Sequence, residues 1–403
     1  MEFRIDAETQ RRLDGLAAIG RREIRPLGIE ADRHGEPLPP DHPFFARWLA
    51  LGQGRTRWRP EESAARKGAG GGARTAGRGG ALGALLLAEE LSYWDRGVAV
   101  ALPGPGLGEP AVLAMGTPEQ KRRFLGPFLD PDRPRWGSLA MTEPGAGSDV
   151  AAISTRARRE GDTYVLDGAK SFAANAGRAD WIVVFATIDP ALGRAGHRAF
   201  VVERGTPGLG HFVAERKMGL KAYESTSFTL EGCRVPAENL LGGEARDARG
   251  AGFRGAMRSF NATRPLVAAM AVGMGRAAFD EALRFACERG TVGDARVRDR
   301  LERVRRKLRA ARLLCLRAAW LADRGQPNAL EASMAKAVAP AAALEAASLG
   351  MEILGLVGGR GDHLVEKLFR DVKAMDIVEG TGQIQRIVMA RHLVDLPPER
   401  GLS

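Results

Sequence analysis

Two short segments combine residue types that could do chemistry. The first is Asp376-Ile377-Val378-Glu379-Gly380-Thr381-Gly382-Gln383-Ile384-Gln385-Arg386. A carboxylate followed by glycine, a hydroxyl and amides, at the start of an amphipathic helix, suits a positioned base beside an anion-binding helix N-terminus. The same residues also read as plain architecture, with Thr381 capping the helix and Glu379 exposed in the loop before it. The second is Met141-Thr142-Glu143-Pro144-Gly145-Ala146-Gly147-Ser148-Asp149. Its glycines let backbone approach a ligand, Thr142 and Ser148 offer hydroxyls, and exposed N–H groups in such a loop bind anions. An ordinary turn has the same composition.

A third feature is basic. Arg296, Arg298, Arg300, Arg303, Arg305, Arg306, Lys307, Arg309 and Arg312 fall within one predicted helix, opposite an apolar stripe of Leu301, Val304, Leu308, Ala311 and Leu313. It reads either as a solvated helix face or as a track for a phosphate backbone. Other chemistry has little support. The six histidines are scattered without ligand spacing, so no metal site is expected. There is no Walker loop, HExxH or GxSxG, and Gly104-Pro105-Gly106-Leu107-Gly108 follows no strand, so it is no dinucleotide fingerprint.

The elements that must position these residues follow the order helices, strands, helices. Residues 1–134 are predicted helical, with Leu13, Leu16 and Ile19 and then Leu82, Leu85, Leu86 and Leu91 at helical intervals. Residues 135–245 hold short β-rich runs, among them 164–168, 181–185, 199–202 and 227–230, spaced as in an antiparallel barrel or sandwich. Residues 246–403 return to long Ala/Leu/Arg helices over 264–288, 295–323, 329–355, 363–376 and 381–394. This is an α+β chain in which a two-part helical bundle encloses a β domain. The glycine-rich stretch 68–80 reads as a surface loop or a mobile lid.

Length and composition agree with that organisation. The 403 residues are 44% hydrophobic and 27% charged, which excludes disordered and collagen-like chains and suggests two or three domains. Of 60 basic residues only nine are lysine, and the net charge is +11. Such a surplus serves phosphate-rich ligands, nucleic acid or an acidic membrane, or reflects codon bias alone. Cys233, Cys287 and Cys315 are far apart and show no CxxC pairing, which suits a reducing cytosol. No apolar leader or membrane-spanning run is evident, so a cytoplasmic protein with no membrane partner is expected.

Together these segments resemble the acyl-CoA dehydrogenase family over nearly the whole chain. The resemblance rests on Thr142 to Asp149, on Tyr164-Val165-Leu166-Asp167-Gly168-Ala169-Lys170, on Met218-Gly219-Leu220 and on Val235 to Gly242. It continues through Gly250-Ala251-Gly252-Phe253, Thr263-Arg264-Pro265 and Arg370-Asp371-Val372-Lys373, ending in Glu379 to Arg386, and is nearest the medium-chain branch. It implies an N-terminal helical domain, a middle antiparallel β-barrel domain and a C-terminal four-helix bundle. It further implies FAD, an acyl-CoA or acyl carrier protein thioester as substrate, an electron-transferring flavoprotein as partner, and a homotetramer or homodimer.

By motif position the resemblance makes Glu379 the base that takes the α proton while flavin N5 takes the β hydride. The Glu379 backbone N–H, with a flavin hydroxyl, would polarise the thioester carbonyl. Arg264 would lie beside the acyl site and orient the base, unless it forms an ordinary buried salt bridge. Met141, Thr142, Gly147, Phe172 and Ala174 would line the flavin end of FAD and Ser148 would lie near its pyrophosphate; Arg289 would reach a neighbouring subunit's FAD phosphates, and Glu352, Gly355, Thr381 and Gln383 would meet the phosphate and adenine end. Ala174 replaces the usual hydroxyl donor to N5, and Glu352 replaces a glutamine, an added carboxylate expected to repel a pyrophosphate. Val292-Gly293 replaces the usual Phe-Gly after Arg289, and Gly355-Leu356 the usual Gly-Gly. Tyr93 and Trp94 either narrow the acyl pocket or are core aromatics. Two other readings stay open: a flavin oxidase or monooxygenase of this fold, and a DNA-binding member of the superfamily. Nucleic acid is otherwise not an expected partner.

Overall fold

The computed structural model describes residues 5–60, 80–244 and 251–394, with backbone alone between 251 and 262. The glycine-rich segment up to Gly79, Gly250 and the side chain of Phe253 lie outside the described residues.

The first helical layer comprises α1 (Ala7–Ile19), a π-helical turn (Gly20–Ile24), α2 (Arg25–His34), α3 (Pro43–Ala50), α4 (Gly80–Ala101), α5 (Gly108–Met115) and α6 (Pro118–Leu125). Caps fix several of these. Asp6 accepts from the Thr9 N–H at 2.8 Å, and Thr117 and Gln120 form a capping box at α6. Gln120 also donates to the carbonyls of Glu238 and Leu240, at 2.8 and 2.6 Å, which ties α6 to the sheet that follows.

Helix α4 is broken at Asp95, whose backbone is extended (φ −165°, ψ 118°). The Asp95 carboxylate caps the second half by accepting from the Val98 N–H at 2.8 Å, and it accepts from Lys367 Nζ at 2.6 Å. Lys367 bridges to Asp371, whose other oxygen accepts from the Leu220 N–H. Burial works against the Lys367 ammonium, but Asp371 and Asp95 together keep its pKa above the ordinary lysine value.

Seven strands form one sheet: β1 (Gly137–Ala140), β2 (Arg156–Glu160), β3 (Thr163–Ala174), β4 (Trp181–Thr187), β5 (His197–Glu203), β6 (Leu209–Ala214) and β7 (Ser225–Pro236). The order is β1-β4-β2-β3-β7-β6, with β5 on β4. Most pairs are antiparallel as expected, but β1 and β2 run parallel to β4, so the sheet is mixed. β4 is buried along its whole length, which explains its uninterrupted apolar sequence. The register between β3 and β7 slips between Lys170 and Ala173, a bulge that turns the chain at Ser171-Phe172.

The C-terminal helices are α7 (Ala251–Glu288), α8 (Ala295–Asp323), α9 (Ala329–Leu354), α10 (Leu364–Val372) and α11 (Gly382–Leu393). One core runs through α4, α7, α8, α9 and α10 and is built largely of alanine. Small residues let the axes approach: a Cβ on Gly275 of α7 would meet Ala343 Cα of α9 at 2.9 Å. α9 is long and apolar enough to cross a membrane, yet 56% of its most apolar window is buried inside the protein. The expected helix 363–376 ends early, at Val372, and continues as a 3-10 turn (Lys373–Asp376).

Candidate active site

Glu379 stands in the loop between α10 and α11 with φ +59°, followed by Gly380 at φ +87°. The left-handed region costs a non-glycine residue about 1–2 kcal/mol, so neighbours must hold it. The Gly380 carbonyl accepts from Lys336 Nζ of α9 at 3.1 Å and from Gln385 Nε2 of α11 at 3.0 Å. Glycine suits this position because φ +87° strains any side chain, and a Cβ there would also push Gln385 Nε2, 2.7 Å away, out of place. Thr381 caps α11 by accepting from the Ile384 N–H at 3.4 Å. The capping half of the simple architectural reading therefore holds. Its other half does not, since the Glu379 side chain turns inward.

That carboxylate accepts the Thr263 hydroxyl of α7 at 2.9 Å. Burial raises its pKa above the ordinary glutamate value; the Thr263 hydrogen bond, and then Arg264, Lys336 and Arg96, oppose the rise. Burial lowers the Arg264 pKa, with Glu379 acting against it. Lys336 is fully buried. Burial pulls its pKa down to about 8, opposed by Asp376 and Glu379 and assisted by Arg264. The result is a desolvated carboxylate ringed by cations, an arrangement suited to a base in a dry site. The Glu379 backbone N–H makes no hydrogen bond among the described residues, so it is available to a ligand carbonyl.

The Met141–Asp149 loop is pinned from beneath by its one glutamate. Glu143 Oε1 accepts from Lys170 Nζ at 2.7 Å and from the Thr155 N–H at 3.0 Å. Glu143 Oε2 accepts from the N–H and hydroxyl of Ser154 at 2.6 and 2.8 Å. Burial alone would raise the Glu143 pKa, but Lys170 and these donors hold it at about 2. Lys170 Nζ also donates to the Met141 carbonyl at 3.2 Å. Met141 is buried, whereas Gly147 and Ser148 are exposed.

The β3 bulge lies against this loop, where the Ser171 N–H donates to the Thr142 carbonyl at 2.9 Å. The bulge gives Phe172 φ +58° and leaves its side chain 66% exposed. Two residues on, the Ala174 carbonyl accepts from the Ser138 hydroxyl at 2.8 Å, and Ala174 itself brings no side-chain donor. An aromatic ring turned out by a strained backbone, beside exposed N–H groups and hydroxyls, fits a flat aromatic cofactor better than solvent.

The remaining expected contacts lie on the bundle and are local. Arg289, just beyond α7, is exposed and lies over the Phe285 ring at 5.3 Å. Glu352 is ion-paired with Arg300 of α8. Gly355 closes α9 through its N–H on the Met351 carbonyl at 2.9 Å, and Gln383 is exposed in the first turn of α11. No hydrogen bond or ion pair joins Arg289, Glu352 or Gly355 to Glu379 or to the Met141–Asp149 loop among the described residues.

The other features resolve simply. Arg300, Arg303, Arg305, Lys307 and Arg312 of α8 pair with Glu352, Glu345, Glu302, Glu345 and Glu89. Tyr93 donates to Asp280 and Trp94 to Glu90, with Arg25 over both rings, so they pack against α2 and α7 as core aromatics. Sequence reasoning missed the Glu143–Lys170 pair, Thr263 as partner of the base, Lys336 and Arg96. For Lys336 a signal existed, because a lysine inside an apolar helix is rarely buried without a task.

Comparison with known proteins agrees with this geometry. The acyl-CoA dehydrogenase N-terminal, middle and C-terminal domain profiles match residues 8–132, 138–233 and 250–394. The chain belongs to the acyl-CoA dehydrogenase family of flavoprotein oxidoreductases. It is 38% identical over 321 residues to cyclohex-1-ene-1-carbonyl-CoA dehydrogenase of Geobacter metallireducens, covering 78% of this chain and 83% of that protein. It is 37% identical over 288 residues to the mitochondrial short-chain specific acyl-CoA dehydrogenase of Mus musculus, covering 70% and 68%. Among solved structures, butyryl-CoA dehydrogenase from Megasphaera elsdenii superposes with a TM-score of 0.85 at 30% identity, over 98% of this chain and 100% of that one.

Proposed function

We propose that this protein catalyses α,β-dehydrogenation of an acyl thioester, acyl-CoA to trans-2-enoyl-CoA, with Glu379 as the α-proton base. The observation that carries the reading is the Glu379 carboxylate itself, desolvated, fixed by Thr263 and set on a backbone held from two sides. An unactivated α C–H is a weak acid, so the base must be dry and placed, and the carbonyl must be stabilised as negative charge develops on it. The Glu379 N–H is suited to the second task.

FAD is the cofactor that fits. Met141, Thr142, Gly147, Phe172 and Ala174 would hold its flavin end, and Ser148, Arg289, Glu352, Gly355, Thr381 and Gln383 its phosphate and adenine end. When bound, FAD supplies the acceptor for the β hydride. Arg264 keeps positive charge beside the base and so favours its ionised form. Electrons would pass on to an electron-transferring flavoprotein, and the chain would assemble as a homotetramer or homodimer in the cytoplasm. Its three domains would divide at 1–134, 135–245 and 246–403.

The test is E379Q. The variant should fold and remain yellow, yet fail to bleach with any acyl-CoA that bleaches the parent enzyme; retained bleaching would overturn the assignment. One observation favours a second reading, a flavin oxidase of this fold: Ala174 brings no side-chain donor to the proposed flavin site. Oxygen uptake as fast as flavin reduction would support that alternative.

A further inference from the structure

Ala174 and Ser225 are partners across the β3–β7 ladder. Directly paired residues point their side chains to the same face, with Cβ atoms about 5 Å apart. Alternation along the strands says which face. Ala173, Thr226, Phe228 and Leu230 are buried on the other side, where Ala173, Phe228 and Leu230 join the core beneath the sheet. Ala174 and Ser225 therefore look away from that core. Ser225 is nevertheless only 4% exposed, with Tyr223 beside it and Arg96 of α4 beyond. Arg96 in turn faces Glu379, so this part of the sheet borders the proposed base.

The other polar groups around Ala174 are committed. Ser138 gives its hydroxyl to the Ala174 carbonyl at 2.8 Å, Thr226 gives its own to Glu224 at 2.6 Å, and Asn175 gives its amide to the Val100 carbonyl at 2.7 Å. Thr142 meets β3 further back, at Ser171. Among the described residues no hydrogen bond commits the Ser225 hydroxyl to a carbonyl or a carboxylate; its polar neighbour is the Tyr223 phenol. Burial raises the Tyr223 pKa, with Arg96 and Ser225 acting against it, so the phenol keeps its proton. A phenol O–H can donate to the Ser225 oxygen, which leaves the serine proton for a ligand.

A flavin accepts a hydride at a ring nitrogen whose lone pair lies in the plane of the ring. In a dry site that lone pair needs a donor, and a donor there also makes the ring a better acceptor. Residue 174 is an alanine and gives none. We propose that Ser225 supplies this hydrogen bond from the neighbouring strand, so that the hydroxyl missing from β3 is provided by β7. The spacing of a facing pair lets a hydroxyl on one strand reach a group lying over the other. This rests on the reading of Ala174 as part of the flavin site.

The experiment uses the flavin-loaded protein. Its oxidised absorption spectrum is recorded first, then its anaerobic reduction by an acyl-CoA that bleaches the parent enzyme. S225A should shift the visible flavin band in the absence of substrate and slow reduction at saturating substrate about tenfold, as loss of one hydrogen bond would require. A174S/S225A, which moves the hydroxyl to β3, should restore both band and rate. An unshifted band with an undiminished rate in S225A overturns the inference, as does a loss that A174S/S225A leaves unrestored. If S225A does not retain flavin, S225T and S225V decide, because they share a shape and differ by the hydroxyl. Reduction about tenfold faster in S225T, or tighter binding of added flavin by S225T, supports the inference, and equality in both overturns it. These outcomes leave the cofactor reading intact. A parent protein that binds no flavin overturns that reading, and this inference with it.

Discussion

Lys336 Nζ donates to the carbonyl of Gly380 at 3.1 Å, so a buried amine on α9 grips the peptide next to the proposed base. The contact joins the bundle core to a loop whose backbone is held in the left-handed region. Its loss should be read in catalysis more than in binding. K336M should lower kcat about tenfold or more while moving KM much less, because misplacement of a reacting group acts on the barrier. Steady-state kinetics separate the two, and an equal rise in KM with unchanged kcat would contradict the positioning role.

The same substitution should move the pH profile. Glu379 must be ionised to act, and burial places its pKa above the ordinary glutamate value, so activity rises with pH through that raised value. Lys336 opposes the rise, and removing its charge should shift the ascending limb to higher pH. T263V removes a hydrogen bond to the carboxylate and should shift it the same way. Flavin reduction rates across the acid range measure both.

Gly380 should tolerate no side chain. G380A brings a Cβ to 2.7 Å from Gln385 Nε2 at a φ of +87°. The protein should still fold, since the cost of about 1–2 kcal/mol is modest against total stability. Its flavin reduction should fall well below that of the parent enzyme.

Glu143 should matter for stability. E143Q leaves Lys170 charged and fully buried, and breaking such a pair costs about 3 kcal/mol. Thermal unfolding should show the loss. In the parent protein the folded pKa of about 2 lies below the ordinary value of 4.5. The contribution is therefore complete above about pH 4.5 and disappears as pH falls from there toward 2. Acid titration of stability should lack that component in E143Q.

Much of this could be read from the chain alone, for identifiable reasons. The helix over 295–323 is bounded by Asp294 as cap and Arg324 beyond, and the expected limits coincide with the observed ones. The proposed base is legible because the Glu379 to Arg386 motif that carries the family resemblance is local in sequence. The parallel seating of β1 on β4 was not, since strand pairing across some forty residues leaves no periodic mark. Nor was the pairing of Glu352, whose partner Arg300 stands on another helix.

The break at Asp95 has an implication for how the two helical layers hold together. Asp95 spends its carboxylate on Val98 and Lys367, which secures the backbone on either side. One aspartate thereby stitches a helix of the N-terminal layer to α10 of the C-terminal bundle. Replacing Asp95 would therefore loosen a helix and the seam between two domains in one step.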